Sequence, residues 1–222
     1  MLPSLSGVTP ALAMYGRALS AGGELHLVRA DGSSHAVDVR RYLRAVDDVD
    51  LEVVRRCTGA TLDIGCGPAR FVSALMARGV PALGIDVAAE AVAVARSAGA
   101  NVLRRSVFRP LPHEGAWQHV LLLDENIGIG GSPHALLGRV RDLLAPTGRA
   151  LVELDPDDTA YERVALRMRD AGGRTSRSFR WARLGLHALA SVAGEVGLRP
   201  VERWSSGGRR FVVLAPRQPD GA

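Results

Sequence analysis

The stretch Thr61-Leu62-Asp63-Ile64-Gly65-Cys66-Gly67-Pro68-Ala69-Arg70-Phe71 decides the fold of this chain. A short apolar run is closed by Asp63, and two glycines, Gly65 and Gly67, follow one residue apart. The pattern predicts a buried strand that ends in a tight turn and opens a helix. Because glycine has no Cβ, such a turn lets a ligand lie against its N–H groups. The stretch indicates a nucleotide-type binding site, with a strand-to-helix turn that binds nothing as the alternative.

A second carboxylate follows at an informative distance. Gly79 is expected to end the helix, and the apolar residues 80–85 then form a second strand that ends in Asp86. An acid about 20 residues beyond such a turn accepts hydrogen bonds from a ribose in dinucleotide-type folds. The turn and Asp86 together predict an open α/β fold with a nucleotide cofactor.

The type of nucleotide depends on Arg70. A dinucleotide site needs a third glycine at the sixth position of G-x-G-x-x-G, so that the helix can approach a pyrophosphate. Arg70 occupies that position here, which disfavours a dinucleotide. An NAD-linked oxidoreductase is further disfavoured because the chain contains no lysine for a Tyr/Lys arrangement.

Residues 62–69 resemble the first motif of the class I S-adenosylmethionine-dependent methyltransferases of the bacterial small-molecule type. That motif is an acidic strand end followed by G-x-G-x-G, and Ala69 stands here where the family usually has its last glycine. The resemblance covers roughly residues 55 to 155. It implies an α/β fold with a Rossmann-like, seven-stranded, doubly wound sheet whose last strand is antiparallel, and it implies S-adenosyl-L-methionine as the cofactor.

The resemblance also implies which residues hold this cofactor. Asp124 or its backbone is assigned to the methionyl end, and Ser106, where many members have an acid, is assigned to the adenine. The implied cofactor residues are Asp63, Ile64, Gly65, Cys66, Gly67, Asp86, Val87, Ser106, Val107 and Asp124.

The acceptor side is predicted from the end of a fourth strand, residues 119–123. Asp124, Glu125 and Asn126 follow that strand, and ligands of open α/β sheets bind outside the carboxyl ends of the strands. Glu125 and His134 are the candidates for a general base, and Asn126 and Trp181 are the candidates for substrate contacts. A solvated loop is the alternative for this segment.

The remaining elements are predicted from periodicity and turns. We expect an N-terminal helix within residues 1–20 and a hairpin around Asp31-Gly32, and residues 1–54 would then cover the site. Ser132 and Pro133 should begin a helix, followed by a fifth strand over 149–154. Further predictions are a helix over 161–170, a strand over 177–182, a helix over 184–196 and a terminal strand pair. A single domain is expected, with a cofactor half at 55–155 and a substrate half at 156–222.

Composition limits the remaining possibilities. The net charge is +5, and all 28 basic residues are Arg, which suggests a coding bias rather than a nucleic-acid partner. No metal site is indicated by the two cysteines, Cys57 and Cys66, or by the His spacing. The start, residues 1–6, lacks a secretory pattern, and no run could span a bilayer, so we expect a cytoplasmic protein without a membrane partner. The sequence leaves a homodimer open.

Seven arginines lie between Arg163 and Arg183. They form either a solvated basic face or a docking site for an anionic substrate, a carrier protein or RNA. Recognised RNA-binding motifs are absent and aromatic residues are few, which argues against nucleic acid.

Two functions are therefore open. The first is methyl transfer to a small molecule, and the second is a cofactor-binding protein of the same fold without methyl transfer, such as a cyclase or a binding module.

Overall fold

The computed structural model describes residues 9–217; the start of the predicted N-terminal helix and the segment assessed for a secretory pattern lie outside them. Between these limits the chain forms two β-sheets with seven helices and a 3-10 turn. The helices are α1 (Thr9–Ala21), α2 (Val39–Leu43), α3 (Asp48–Arg56), α4 (Arg70–Ala77), α5 (Ala89–Ser97), α6 (Pro133–Leu143) and α7 (Leu186–Glu195), and the 3-10 turn is Asn126–Gly131. The strands are β1 (Leu25–Val28), β2 (Ser34–Val37), β3 (Thr61–Ile64), β4 (Ala82–Asp86), β5 (Val102–Arg104), β6 (Trp117–Leu122), β7 (Leu144–Leu154), β8 (Tyr161–Asp170), β9 (Phe179–Leu184), β10 (Leu198–Ser206) and β11 (Arg209–Pro216).

The larger sheet has seven strands in the order β10-β11-β7-β6-β3-β4-β5. Strands β5, β4, β3, β6 and β7 are parallel, and β11 pairs antiparallel with both β7 and β10. This order confirms the predicted Rossmann-like sheet with an antiparallel last strand. The strand order reverses between β3 and β6, so a ligand crevice is expected at their carboxyl ends.

Helices cover both faces of this sheet because its central strands are apolar on both faces. Buried residues of α6 and α7 pack on one face, and buried residues of α3, α4 and α5 pack on the other. Ser132 caps α6 by accepting a hydrogen bond from the Ala135 amide at 3.3 Å, with Pro133 in the first turn. The predicted start of this helix is therefore confirmed.

The smaller sheet is antiparallel, with the order β2-β1-β8-β9. We call residues 25–37 and 161–184, which form this sheet, the cap. The predicted hairpin is confirmed as β1 and β2, but the predicted helix over 161–170 is wrong, because this segment is strand β8. Val164, Leu166 and Met168 alternate with the more exposed Arg163, Ala165 and Arg167, and this period of two outweighs the helix propensity of the segment.

Helix α1 joins the cap to the larger sheet. Met14, Ala18 and Leu19 of α1 form a buried cluster with Leu25 of β1 and with residues of α5. The N-terminal segment therefore packs beside the carboxyl ends of β3 and β4, where the crevice lies.

Candidate active site

The turn after β3 has the left-handed backbone that its glycines allow. The φ angles are 73° at Gly65, 54° at Gly67 and 70° at Ala69, and Ala69 is fully buried. A non-glycine residue in this region is uncommon and carries a strain of about 1 kcal/mol. The turn therefore keeps the form of a three-glycine cradle although its last glycine is replaced by alanine.

Asn126 closes the cradle from the acceptor side. Its Nδ2 donates hydrogen bonds to the carbonyls of Ile64 and Gly65, each at 3.0 Å. A Cβ on Gly65 would lie 2.7 Å from the same Nδ2. The amide group of Asn126, predicted to contact substrate, is thus engaged in holding the turn.

The side chain of Cys66 points away from any ligand in the turn. Its Sγ lies under the sheet, where a Cβ on Gly84 would meet it at 2.6 Å, and burial raises its pKa well above the usual range. Cys66 therefore offers the site its backbone and not a reactive thiolate.

Asp86 connects two strand ends at the crevice. Its carboxylate accepts hydrogen bonds from the backbone amides of Gly67 and Ala88, both at 2.8 Å. Burial raises the pKa of Asp86, and these backbone hydrogen bonds oppose the rise. The predicted ribose acceptor is thus held rigidly against the glycine turn.

Two tyrosines cover this part of the crevice. The Tyr15 hydroxyl lies 3.2 Å from the position of a Cβ on Gly67, and its ring meets that of Tyr42 edge-on at 6.2 Å. Burial, and next the charge of Asp86, raise the pKa of Tyr15. Helix α1 and α2 therefore lie over the turn.

The segment predicted to hold an adenine follows β5. The Ser106 hydroxyl accepts from the Phe108 amide at 3.3 Å, and the side chain of Val107 is buried in the core. The Val107 carbonyl accepts from Arg139 at 2.9 Å, and Val87, after β4, is half-buried. A ligand here would therefore meet the Ser106 hydroxyl and the backbone amide of Val107.

A network of ion pairs lies beneath the crevice. Arg70 contacts Asp50 at 2.9 Å and Asp124 at 2.7 Å, and its own side chain is 7% exposed. Arg209 contacts Asp50 at 2.6 Å and Glu153 at 2.7 Å. We call this the ion-pair network; its members are Arg41, Asp50, Arg70, Asp124, Glu153 and Arg209.

Asp124 is fixed within this network. Its carboxylate also accepts from Arg41 at 2.6 Å, and its backbone amide donates to Glu153 at 2.6 Å. Arg41, Arg70 and Arg209 thus already engage its carboxylate, and Glu153 engages its backbone amide, so a cofactor's methionyl end would compete with these contacts for Asp124.

Glu125, the next residue, differs in its surroundings. Among residues 9–217 its carboxylate has no hydrogen-bond or ion-pair partner, and the residue is exposed to solvent. Partial desolvation raises the pKa of Glu125, and the charges of Asp155 and Glu153 add to the rise. The charges of His35 in the cap and Arg183 in β9 lower the pKa of Glu125 and so oppose this rise. Such a carboxylate has the properties of a general base.

The backbone conformation gives the Asp124 and Glu125 side chains different surroundings. Asp124 and Glu125 have φ angles of 52° and 63°, so two consecutive non-glycine residues are left-handed at the end of the β6 segment. Strain of this kind often accompanies function. With this backbone the Asp124 carboxylate lies in the ion-pair network, and Glu125 is exposed to solvent.

Asp63 is the most deeply buried acid of the crevice. Burial raises its pKa to about 7, the charges of Asp124 and Asp86 add to this, and Arg70 opposes it. The crevice therefore has an excess of carboxylates that suits a cationic ligand.

The structure separates the other predicted site residues. The Trp181 indole lies against the 3-10 turn, where a Cβ on Gly128 would be 2.3 Å from its Nε1. A groove of about 340 Å³ adjoins it, lined by Gly130, Gly131, Ser132, Arg163, Val164, Ala165, Arg180 and Trp181. His134 is half-exposed on α6 and lies 3.7 Å from Glu195 of α7, so its ionic contact is with the outer helix layer.

Sequence reasoning missed the ion-pair network. Arg70 was noticed only as a replacement for glycine, and Asp50 and Arg209 lie 159 residues apart in the chain. No local pattern connects them, and their pairing is created by the fold. None of the described helices is long and apolar enough to cross a bilayer.

Comparison with known proteins agrees with this geometry. Residues 62–152 match the family model described as a methyltransferase domain. A SAM-dependent methyltransferase from Bacteroides fragilis, crystallised with S-adenosyl-L-homocysteine, is 18% identical, with 98% of each chain covered and a TM-score of 0.77. The 1,6-didemethyltoxoflavin-N1-methyltransferase of Burkholderia thailandensis is 16% identical over 98% of this chain and 93% of that one, with a TM-score of 0.60. The amino pentose methyltransferase CalS10 from Micromonospora echinaspora is 18% identical over 79% and 94%, with a TM-score of 0.56. No curated protein matches the sequence.

Proposed function

We propose that this chain is a class I S-adenosylmethionine-dependent methyltransferase and that it methylates a small-molecule acceptor with Glu125 as the general base. The observation that carries the assignment of Glu125 is its contrast with Asp124. The neighbouring carboxylates share one strained turn, yet Asp124 is paired with Arg41 and Arg70, while Glu125 has no hydrogen-bond or ion-pair partner in the part of the chain that the structure describes.

The residues of the crevice fit the cofactor. A Cβ on Gly65 would lie 2.7 Å from Asn126 Nδ2, so the turn accommodates only glycine at this position and keeps its close packing against Asn126. Gly67 and Asp86 would hold the ribose side, Ser106 and the Val107 amide the adenine side, and Asp63 the positively charged end. When bound, S-adenosylmethionine supplies a methyl group that is already activated by its positive sulfur.

The protein's own contribution is to position the acceptor and accept its proton. Holding a nucleophile in line supplies much of the rate, with effective molarities of about 10⁵ M or more. Glu125 would take the proton of a hydroxyl or amine at its carboxylate, which adds about 10²–10⁴-fold. Its raised pKa makes it a stronger base than an ordinary glutamate, and Arg183 and His35 would limit the charge around it.

The size of the acceptor is inferred from the cap. Trp181 and the adjoining groove of about 340 Å³ suit a small ring or chain. The toxoflavin and amino pentose enzymes named above act on small molecules, which supports the same class here. A cytoplasmic location, a role in small-molecule biosynthesis and a homodimer stay predictions from the sequence.

The substitution Glu125→Gln tests the assigned base. We expect calorimetry to give an unchanged affinity for S-adenosylmethionine, while the rate of methyl transfer to an acceptor found by mass spectrometry falls about 100-fold or more. In the wild type, the rate should rise with pH as Glu125 loses its proton, above the usual range for glutamate, and the variant should lose this rise.

The substitution His134→Gln is the matched control, because His134 was the other candidate base and contacts Glu195 instead. It should leave the rate and its pH profile unchanged. An unchanged rate in Glu125→Gln, or an equal loss in both variants, would show that Glu125 is not the base.

A further inference from the structure

The register of the cap separates its arginines from its acids. Residues directly opposite in neighbouring strands share a face. Arg167 pairs with Val28, Arg169 with His26, and Arg180 with Ala165, so these side chains lie on one face of the cap together with Arg163. We call this the outer face. The acids of these strands, Glu162 and Asp170, pair with Arg183 and Leu25 on the inner face.

The inner face points into the molecule. Leu25 is buried and Met168 packs against α1, whereas Glu162 forms ion pairs with Arg29 and Arg183. The charges on this face are therefore balanced locally.

The positive charges of the outer face are not balanced by neighbouring acids. Arg163, Arg167 and Arg180 are exposed, and none has a carboxylate within ion-pair distance among the described residues. Arg169 donates to the Ser34 hydroxyl at 3.2 Å. Glu24, which precedes β1, contacts His26 of this face at 3.0 Å.

We propose that the outer face binds the acidic surface of a partner protein. Arg163 and Arg169 are six residues apart on one strand, which spans about 20 Å, and three strands make the patch about 10 Å wide. These dimensions match one helix of about 14 residues. Ala165 is exposed between the arginines, so the patch has a small apolar centre with an arginine rim, as protein interfaces often have.

A protein fits this face better than nucleic acid. Sheets that bind single strands stack bases on aromatic side chains. On β8 the outer face has one aromatic residue, Tyr161, at its far end. The groove beside the acceptor side reaches the outer face through Arg163 and Arg180, so a docked partner would lie at its mouth.

The test uses a fluorescein-labelled helical peptide of about 14 residues with glutamates along one face. Its affinity is measured by fluorescence anisotropy for three proteins. They are the wild type, the outer-face variant Arg163→Gln/Arg167→Gln/Arg180→Gln, and the control Arg55→Gln/Arg78→Gln/Arg199→Gln. The control arginines are also exposed and without an ion-pair partner among residues 9–217, and both triple variants lose the same charge.

We expect the outer-face variant to bind the peptide about tenfold more weakly and the control to bind like the wild type. Equal weakening of both variants, or no measurable binding, would overturn the proposal. It would also be overturned if oligo-uridine or phosphatidylserine vesicles bound more tightly than the peptide and lost more affinity in the outer-face variant. Binding of S-adenosylmethionine is measured in parallel, so this result and the test of Glu125 remain separate.

Discussion

The larger sheet and the cap hold their strands together in different ways. Strands β3 to β7 pair in parallel, the central ones are buried between helices, and their site is built from backbone turns at the strand ends. The cap joins β1 to β8, and its contact between Arg29 and Glu162 closes 133 residues of chain. The glycine turn of the larger sheet lies within one short segment of chain, whereas the cap is closed by pairing between the distant strands β1 and β8, so substitutions should affect the two regions differently.

Gly65→Ala should give the largest effect, because it alters the local turn on which the first region depends. The new Cβ would lie 2.7 Å from Asn126 Nδ2, and the φ of 73° is strained for alanine. We expect the affinity for S-adenosylmethionine to fall about 1000-fold, roughly 4 kcal/mol, by calorimetry.

Gly79→Ala is its matched control. Gly79 has the same φ of 73°, but a Cβ there would meet no heavy atom within 4 Å. Gly79→Ala should lower the free energy of unfolding by about 1 kcal/mol, because alanine is strained at this φ, and should leave the affinity for S-adenosylmethionine unchanged. If both variants lost affinity equally, the close approach to Asn126 would not matter.

Leu166→Ala should give the next largest effect and keep it within the cap. Leu166 is 4% exposed on β8, and its truncation should cost about 3 kcal/mol. Hydrogen exchange should show lost protection in the cap, with β3 to β7 still protected. Leu121→Ala, at a fully buried position in β6, should instead lower protection throughout the larger sheet. Equal loss everywhere in both variants would mean that the two regions unfold as one unit.

Asp63→Asn should give the smallest effect, visible as a change with pH. An unfolded aspartate ionises near pH 4, and folded Asp63 ionises at about pH 7, so the folded state holds the extra proton between these values. The free energy of unfolding therefore falls as pH rises through this range. Between pH 5 and pH 8, the free energy of unfolding in urea should fall by about 2 kcal/mol more in the wild type than in the variant.

Asp157→Asn serves as the control for this titration. Hydrogen bonds from Thr159 lower the pKa of Asp157, so Asp157 stays ionised throughout the range from pH 5 to pH 8. The difference in free energy of unfolding between Asp157→Asn and the wild type should therefore stay constant from pH 5 to pH 8. A constant difference in Asp63→Asn as well would contradict the raised pKa of Asp63.

The same contrast explains what the sequence could predict. Gly65, Gly67 and Asp86 were found because strand, turn and acid follow one another within a short segment. The helix predicted over 161–170 was wrong because the partners of β8 are β1 and β9, and pairing with them overrides local propensity. The ion-pair network was missed for the same reason, since Arg209 reaches Asp50 only in the folded chain.

The free carboxylate at the site was predicted, but its distinction from Asp124 was not. Both residues follow the same strand and have the same charge. Only the left-handed turn and the arginines beneath it show which one is engaged. Composition alone could not supply that information, because the arginines that pair with Asp124 are distant in sequence.

The Asn126 side chain couples the glycine turn after β3 to the loop that carries Glu125. It belongs to the loop that follows Glu125, yet it holds the carbonyls of Ile64 and Gly65. A ligand that immobilises the turn thereby also immobilises this loop, and the entropy lost in ordering it is lost once. Cofactor and acceptor should then bind cooperatively, and by thermodynamic linkage each should tighten the other by the same factor.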